Sequence, residues 1–175
     1  NEESEYEFVD KIKGGVIPRE FIPSCNKGFK SMLAKGPLLG FPVRGVRVEL
    51  LDGAAHAVDS SDVAFQEAAR GAFRATYPKA GPVILEPIMK VEVNTPEEYQ
   101  GDLIGDLNRR RGQIQSVETK GTLCIVSAFV PLETMFGYST DMRSLSKGRA
   151  DYSMEPSHFE QVPASLVEDI VKTTA

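Results

Sequence analysis

The order of patterned segments over residues 88–154 restricts this chain more than any other feature. Residues 88–93 alternate apolar and polar side chains and are rich in β-branched types, as a half-buried strand requires. Thr95, Pro96 and Glu98 come next. Their spacing predicts a helix start, with Thr95 as N-cap, Pro96 at the first helical position and Glu98 closing a capping box. Tyr99, Leu103 and Leu107 recur every four residues, which places them on one helix face. Arg109, Arg110 and Arg111 then precede Gly112, which ends the helix. Two strands are predicted over residues 113–118 and 122–130, separated by Lys120 and Gly121. Pro131 opens a second helix through about residue 143, and Ala150, Tyr152 and Met154 alternate in a last strand. The order β-α-β-β-α-β is the split βαβ, ferredoxin-like arrangement.

The first half is α+β as well. Residues 6–12 form a strand candidate, and the adjacent glycines Gly14 and Gly15 make residues 13–18 a loop. A helix is expected over residues 21–34, with Pro23 tolerable only in its first turn and Gly36-Pro37 as its stop. Residues 43–51 read as a strand that ends at the Asp52-Gly53 turn. Ser60 or Ser61 caps a second helix through about Thr76, with Phe65, Ala68, Ala72 and Thr76 on one face. Pro82 and Pro87 bracket an extended apolar segment, since the residue before each proline is kept out of helical geometry. The expected division is therefore a first domain over residues 1–86, a second over 87–163, and a docking helix over 164–175 carrying Leu166, Val167, Ile170 and Val171. Each domain is expected to be a small two-layer α+β unit.

Several kinds of chemistry lack their sequence signals. No apolar run approaches the roughly 20 residues of a membrane helix, and the acidic residues 1–7 do not read as a signal peptide. Cys25 and Cys124 are isolated and read as reduced, partly buried thiols. No Gly-x-x-x-x-Gly-Lys-Ser/Thr loop is present to cradle phosphates, and no Gly-x-Gly-x-x-Gly follows a strand. His56 and His158 have no neighbouring Cys or His to complete a metal set. Asp52, His56, Asp59 and Ser60 cluster in sequence, but without the strand-to-helix context of an activated serine. The chain is thus expected to have no catalytic residue, metal or cofactor of its own. Its net charge of −5 means that any RNA contact must come from local loops rather than an overall field.

Six ordered blocks identify a resemblance. They are residues 14–18 (GGVIP), 59–61 (DSS), 85–89 (LEPIM), 105–112 (GDLNRRRG), 129–132 (FVPL) and 135–138 (MFGY). Together, over residues 6–163, the chain resembles the fourth and fifth domains of the elongation factor G family. The resemblance implies for the first domain a fold related to that of a small-subunit ribosomal protein. It also implies that a strand region preceding Tyr6 in the family is missing, so that the chain is a fragment of a five-domain GTPase. GTP and Mg²⁺ would be bound by the absent N-terminal domains.

The implied role is that of a non-enzymatic arm promoting translocation of transfer RNA and messenger RNA on the ribosome, in the cytoplasm or in mitochondria. The implied partners are the decoding centre, the A-site transfer RNA and the large-subunit GTPase-associated centre. Residues 12–18 and 51–61 match the family's tip loops, which assigns Lys13, Gly14, Gly15, Val16, His56, Asp59 and Ser60 to the ribosome and transfer RNA. His56 alone reads as an exposed turn residue; as part of the tip it can donate to a phosphate or 2′-hydroxyl, or stack on a base. Lys11 and Arg19 flank the first loop, where a cation can pair with phosphate. Arg109, Arg110, Arg111, Gly101 and Gly105 are implied to face large-subunit RNA, although cations also favour a helix C-terminus for local reasons. Phe136 and Tyr138 read as core or interdomain packing. The alternative is the same domains of a relative that acts in ribosome recycling or removes tetracycline from the ribosome; the recycling relatives share much of this motif set. A small ferredoxin-like enzyme or sensor is the remote alternative, but an acyl-phosphate hydrolase needs an arginine cradle where Asn94-Thr95-Pro96 stands.

Overall fold

The structure is a computed structural model and describes residues 5–174. The acidic residues 1–4 therefore lie outside the described part. The chain divides into two compact units: residues up to Pro82 together with those from Glu168 onward, and Val83–Val167. The division falls ahead of Glu86 and Pro87, which belong to a long strand of the second unit.

In the first unit, β1 (Tyr6–Asp10) pairs in parallel with β2 (Val46–Leu50). A 3₁₀ turn over Arg19–Phe21 leads into α1 (Ile22–Lys30), which is shorter than the expected 21–34. Residues beyond Lys30 turn back instead: Gly36 donates to the Phe41 carbonyl and Val43 to the Leu33 carbonyl. Ser61 caps α2 (Asp62–Thr76) by accepting from the Ala64 amide. The buried stripe of α2 is Phe65, Ala69 and Phe73, not Phe65, Ala68, Ala72 and Thr76. The reason is aromatic: Phe65 stacks on Phe21 at 4.7 Å, and Phe73 on Tyr77 at 5.3 Å. Helices α1 and α2 touch at Gly28, where an added Cβ would stand 2.5 Å from the Gln66 carbonyl oxygen. Side chains of both helices then join Ile17, Met32, Val43 and Leu50 in one apolar core.

The second unit is the expected β-α-β-β-α-β unit. Its strands β3 (Leu85–Pro96), β4 (Gln113–Lys120), β5 (Leu123–Pro131) and β6 (Asp151–Gln161) form one sheet in the order β4-β5-β3-β6. All three pairings are antiparallel. Val91, Val93, Val126, Ala128 and Val130 point from one sheet face into a core completed by Leu103 and Leu107 of α3 (Glu97–Arg109) and by Tyr138 and Met142 of α4 (Tyr138–Leu145). Two expectations do not hold in this unit. The capping box does not form, because Thr95 is drawn into β3 opposite Cys124 and is fully buried; Pro96 is the N-cap of α3, and Glu98 pairs with Arg149 instead. Pro131 ends β5 and precedes only a 3₁₀ turn over Leu132–Met135, so α4 begins later, after Gly137 in left-handed geometry.

Both helices of this unit end in the same way. Arg111 and Lys147 adopt left-handed backbone. Gly112 donates to the Leu107 carbonyl at 2.8 Å and Gly148 to the Arg143 carbonyl at 2.8 Å, each closing a Schellman motif. Helix α5 (Ala164–Thr174) follows β6.

Candidate functional site

Parallel pairing of β1 and β2 decides where the loops of the first unit go. Each strand runs into a loop at its C-terminal end, so residues 11–18 and 51–61 emerge side by side. Gly14 and Gly15 both take left-handed backbone, which other residues resist, and nothing stands where their side chains would be. Lys13 and Arg19 are exposed beside them. Lys11 is committed elsewhere: its ammonium meets the Glu49 carboxylate at 2.7 Å. That hydrogen bond, first among the causes, holds the Glu49 carboxyl below its usual range.

The second loop closes on itself. The His56 amide donates to the Ser60 hydroxyl at 2.8 Å, and the Ser60 amide donates back to the His56 carbonyl at 3.1 Å. Ser61 then caps α2, so the loop backbone is fixed at its far end. His56 and Asp59 are exposed, and the His56 imidazole has no hydrogen-bond partner among the described residues. The Ser60 hydroxyl accepts from the His56 backbone amide, and among the described residues no hydrogen bond joins the His56 imidazole to Asp52, Asp59 or Ser60. The two loops meet inside: Ile17 is only 3% exposed, and its side chain packs on Gly53. Sequence reasoning did not find this pairing, because the partners are far apart and Asp52-Gly53 carries its own local turn signal.

In the second unit, Gly101, Gly105 and Arg109 stand four residues apart on the exposed side of α3, with open space over both glycines. The three arginines separate. Arg109 is 72% exposed and bonded loosely to Asp106 at 3.1 Å. The side chain of Arg110 is only 12% exposed: it meets Asp106 at 2.9 Å, Asp141 and the Thr134 carbonyl, and lies over the Tyr138 ring. Arg111 forks onto Glu86, itself buried. Tyr138 is fully buried, whereas Phe136 is 78% exposed and so is not core. Among the described residues no group of three or more His, Cys, Asp or Glu could hold a metal ion, and no helix is long and apolar enough to cross a membrane.

The chain thus carries a unit with one parallel strand pair and two loops at its C-terminal end, followed in sequence by a split βαβ unit. Residues 1–94 match the family model for elongation factor G, domain IV, and residues 83–170 that for the elongation factor G C-terminus. The chain belongs to the elongation factor G family. It is 54% identical over 173 residues to elongation factor G 1 of Syntrophus aciditrophicus (strain SB), covering 99% of this chain and 25% of that protein. A crystal structure from Thermus thermophilus superposes with a TM-score of 0.91 at 42% identity, covering 98% of this chain and 26% of that one. The chain thus spans about a quarter of the length of these relatives.

Proposed function

We propose that this chain is the ribosome-engaging arm of a cytoplasmic factor that moves transfer RNA and messenger RNA through the ribosome. One observation carries the reading: His56 presents an imidazole without a hydrogen-bond partner among the described residues, from a loop closed by the His56–Ser60 bonds, on the same end of the unit as the bare Gly14-Gly15 backbone. Fixed backbone and free polar side chain are what an RNA contact needs, because little ordering entropy remains to be lost on binding. Lys13 and Arg19 add phosphate-pairing charge at the same end. The arm acts by occupying the A site and biasing the transfer RNAs forward. GTP and Mg²⁺ chemistry belongs to other segments of a longer protein.

The second unit engages the large subunit through the outer side of α3. Gly101 and Gly105 permit close approach there, and Arg109 is the arginine left available. Arg110 and Arg111 support that surface from below.

The test is His56→Ala in the full-length protein. Folding should be unchanged, since exposed substitutions alter stability by about 0.5 kcal/mol or less. Single-turnover translocation should slow while ribosome-stimulated GTP hydrolysis is much less affected. Normal translocation by a folded variant would refute the assignment of this loop.

A further inference from the structure

Two separate loops form the end of the first unit, and nothing in β1–β2 pairing fixes one relative to the other beyond Lys11, whose amide donates to the Leu50 carbonyl at 2.9 Å. Past that point the contact described between them is Ile17 on Gly53. Gly53 takes ordinary backbone geometry, so its need for glycine is not conformational. It is steric. A Cβ at position 53 would stand 2.5 Å from Ile17 Cδ1 and 2.7 Å from Ile17 Cγ1. Real Cβ atoms do not approach so closely, and Ile17 cannot swing away freely. It is β-branched, hence stiff at χ1, and it lies buried against the core of α1 and α2.

We infer that Ile17 and Gly53 are a positioning pair that locks the Gly14-Gly15 loop and the His56 loop into one rigid apex. Neither residue touches RNA in this scheme. Ile17 ties its loop to the buried core, and Gly53 seats the other loop on Ile17. From Gly53 the chain runs three residues to His56, where the His56–Ser60 bonds and the Ser61 cap hold the remainder. A side chain at position 53 therefore displaces the base of the His56 loop while the loop's own hydrogen bonds persist. The imidazole is carried away from its place as part of an intact loop. This inference rests on the tip reading above.

The experiment uses the full-length protein with Gly53→Ala, Ile17→Ala, the double variant and His56→Ala. Gly53→Ala should slow translocation by about tenfold or more, because displacement of a reacting or contacting group by about 1 Å can cost 10²-fold. Ribosome-stimulated GTP hydrolysis and the far-UV spectrum should be retained. Removing the Ile17 branch makes room for the new methyl, so the double variant should translocate faster than Gly53→Ala alone. A general loss of stability would not produce that rescue: Ile17→Ala by itself unties the first loop and should slow translocation, and two independent losses would add. If His56→Ala slows translocation and Gly53→Ala does not, the positioning pair is wrong and the tip reading stands. If neither variant slows it, the tip reading fails. If both slow it and the double variant is slower still, Gly53 acts through the fold and the inference is overturned.

Discussion

Three consecutive arginines have three different fates, decided by where the helix ends. Arg109 is in the last turn of α3 and points out. Arg110, the C-cap, turns under the helix and neutralises buried Asp106 while holding the loop before α4 through the Thr134 carbonyl and Asp141. Arg111, in left-handed backbone, reaches across to Glu86 on β3. Removing one partner of a buried ion pair leaves a bare charge, at a cost of about 3 kcal/mol or more. Arg110→Ala should therefore lower stability by that amount in urea denaturation, whereas Arg109→Ala should change it by about 0.5 kcal/mol or less. Similar losses from both would contradict this division of labour. The sequence shows the run of arginines but not their sorting, because Thr134 and Asp141, which draw Arg110 under the helix, lie 24 and 31 residues away.

At the scale of elements, local periodicity carried most of the fold. The alternation of β3 and the four-residue repeat of α3 are properties of contiguous residues, and they yield the β-α-β-β-α-β order directly. The misread features are those that a distant partner decides. Thr95 has good N-cap chemistry but is claimed by the sheet. The α2 stripe is rotated because Phe21, from outside the helix, supplies a ring for Phe65, while Phe73 stacks on the adjacent C-cap Tyr77. The glycines of the candidate sites were legible as residues, whereas the seat that Gly53 gives the side chain of Ile17 was not, because the two are far apart in sequence. Among the described residues nothing lies within 4 Å of where a side chain at Gly101 or Gly105 would stand, and glycine costs a helix interior roughly 1 kcal/mol relative to alanine. Alanine at both positions should therefore raise the melting temperature and weaken binding to the large subunit together. A stabilised variant with unchanged ribosome affinity would remove α3 from the contact surface.

At the scale of the whole molecule, acid sensitivity is uneven. Asp62 accepts from the Ser24 hydroxyl and the Gln66 amide, both at 2.6 Å, and its carboxyl is held below its usual range, chiefly by the Ser24 bond. The carboxyls of Glu49 and Glu67 are lowered as well, first by hydrogen bonds from Lys11 and Arg70. A carboxyl depressed in the folded state stabilises above its unfolded pKa and loses that contribution as pH falls through the folded value. All three belong to the first unit, so its melting temperature should decline as pH drops below about 4.5, the ordinary glutamate value. Asp62→Asn should flatten part of that decline; an unaltered profile would argue against the Ser24–Asp62 link. The burial of both thiols has a separate, practical outcome. Cys25 and Cys124 are enclosed, and burial pushes the Cys25 thiol up, away from the reactive thiolate. Val58, 91% exposed, lies two residues past His56. With Val58→Cys, a maleimide dye would mark the apex and leave the native cysteines in place, so the approach of this loop to its target can be followed by energy transfer in an otherwise unaltered chain.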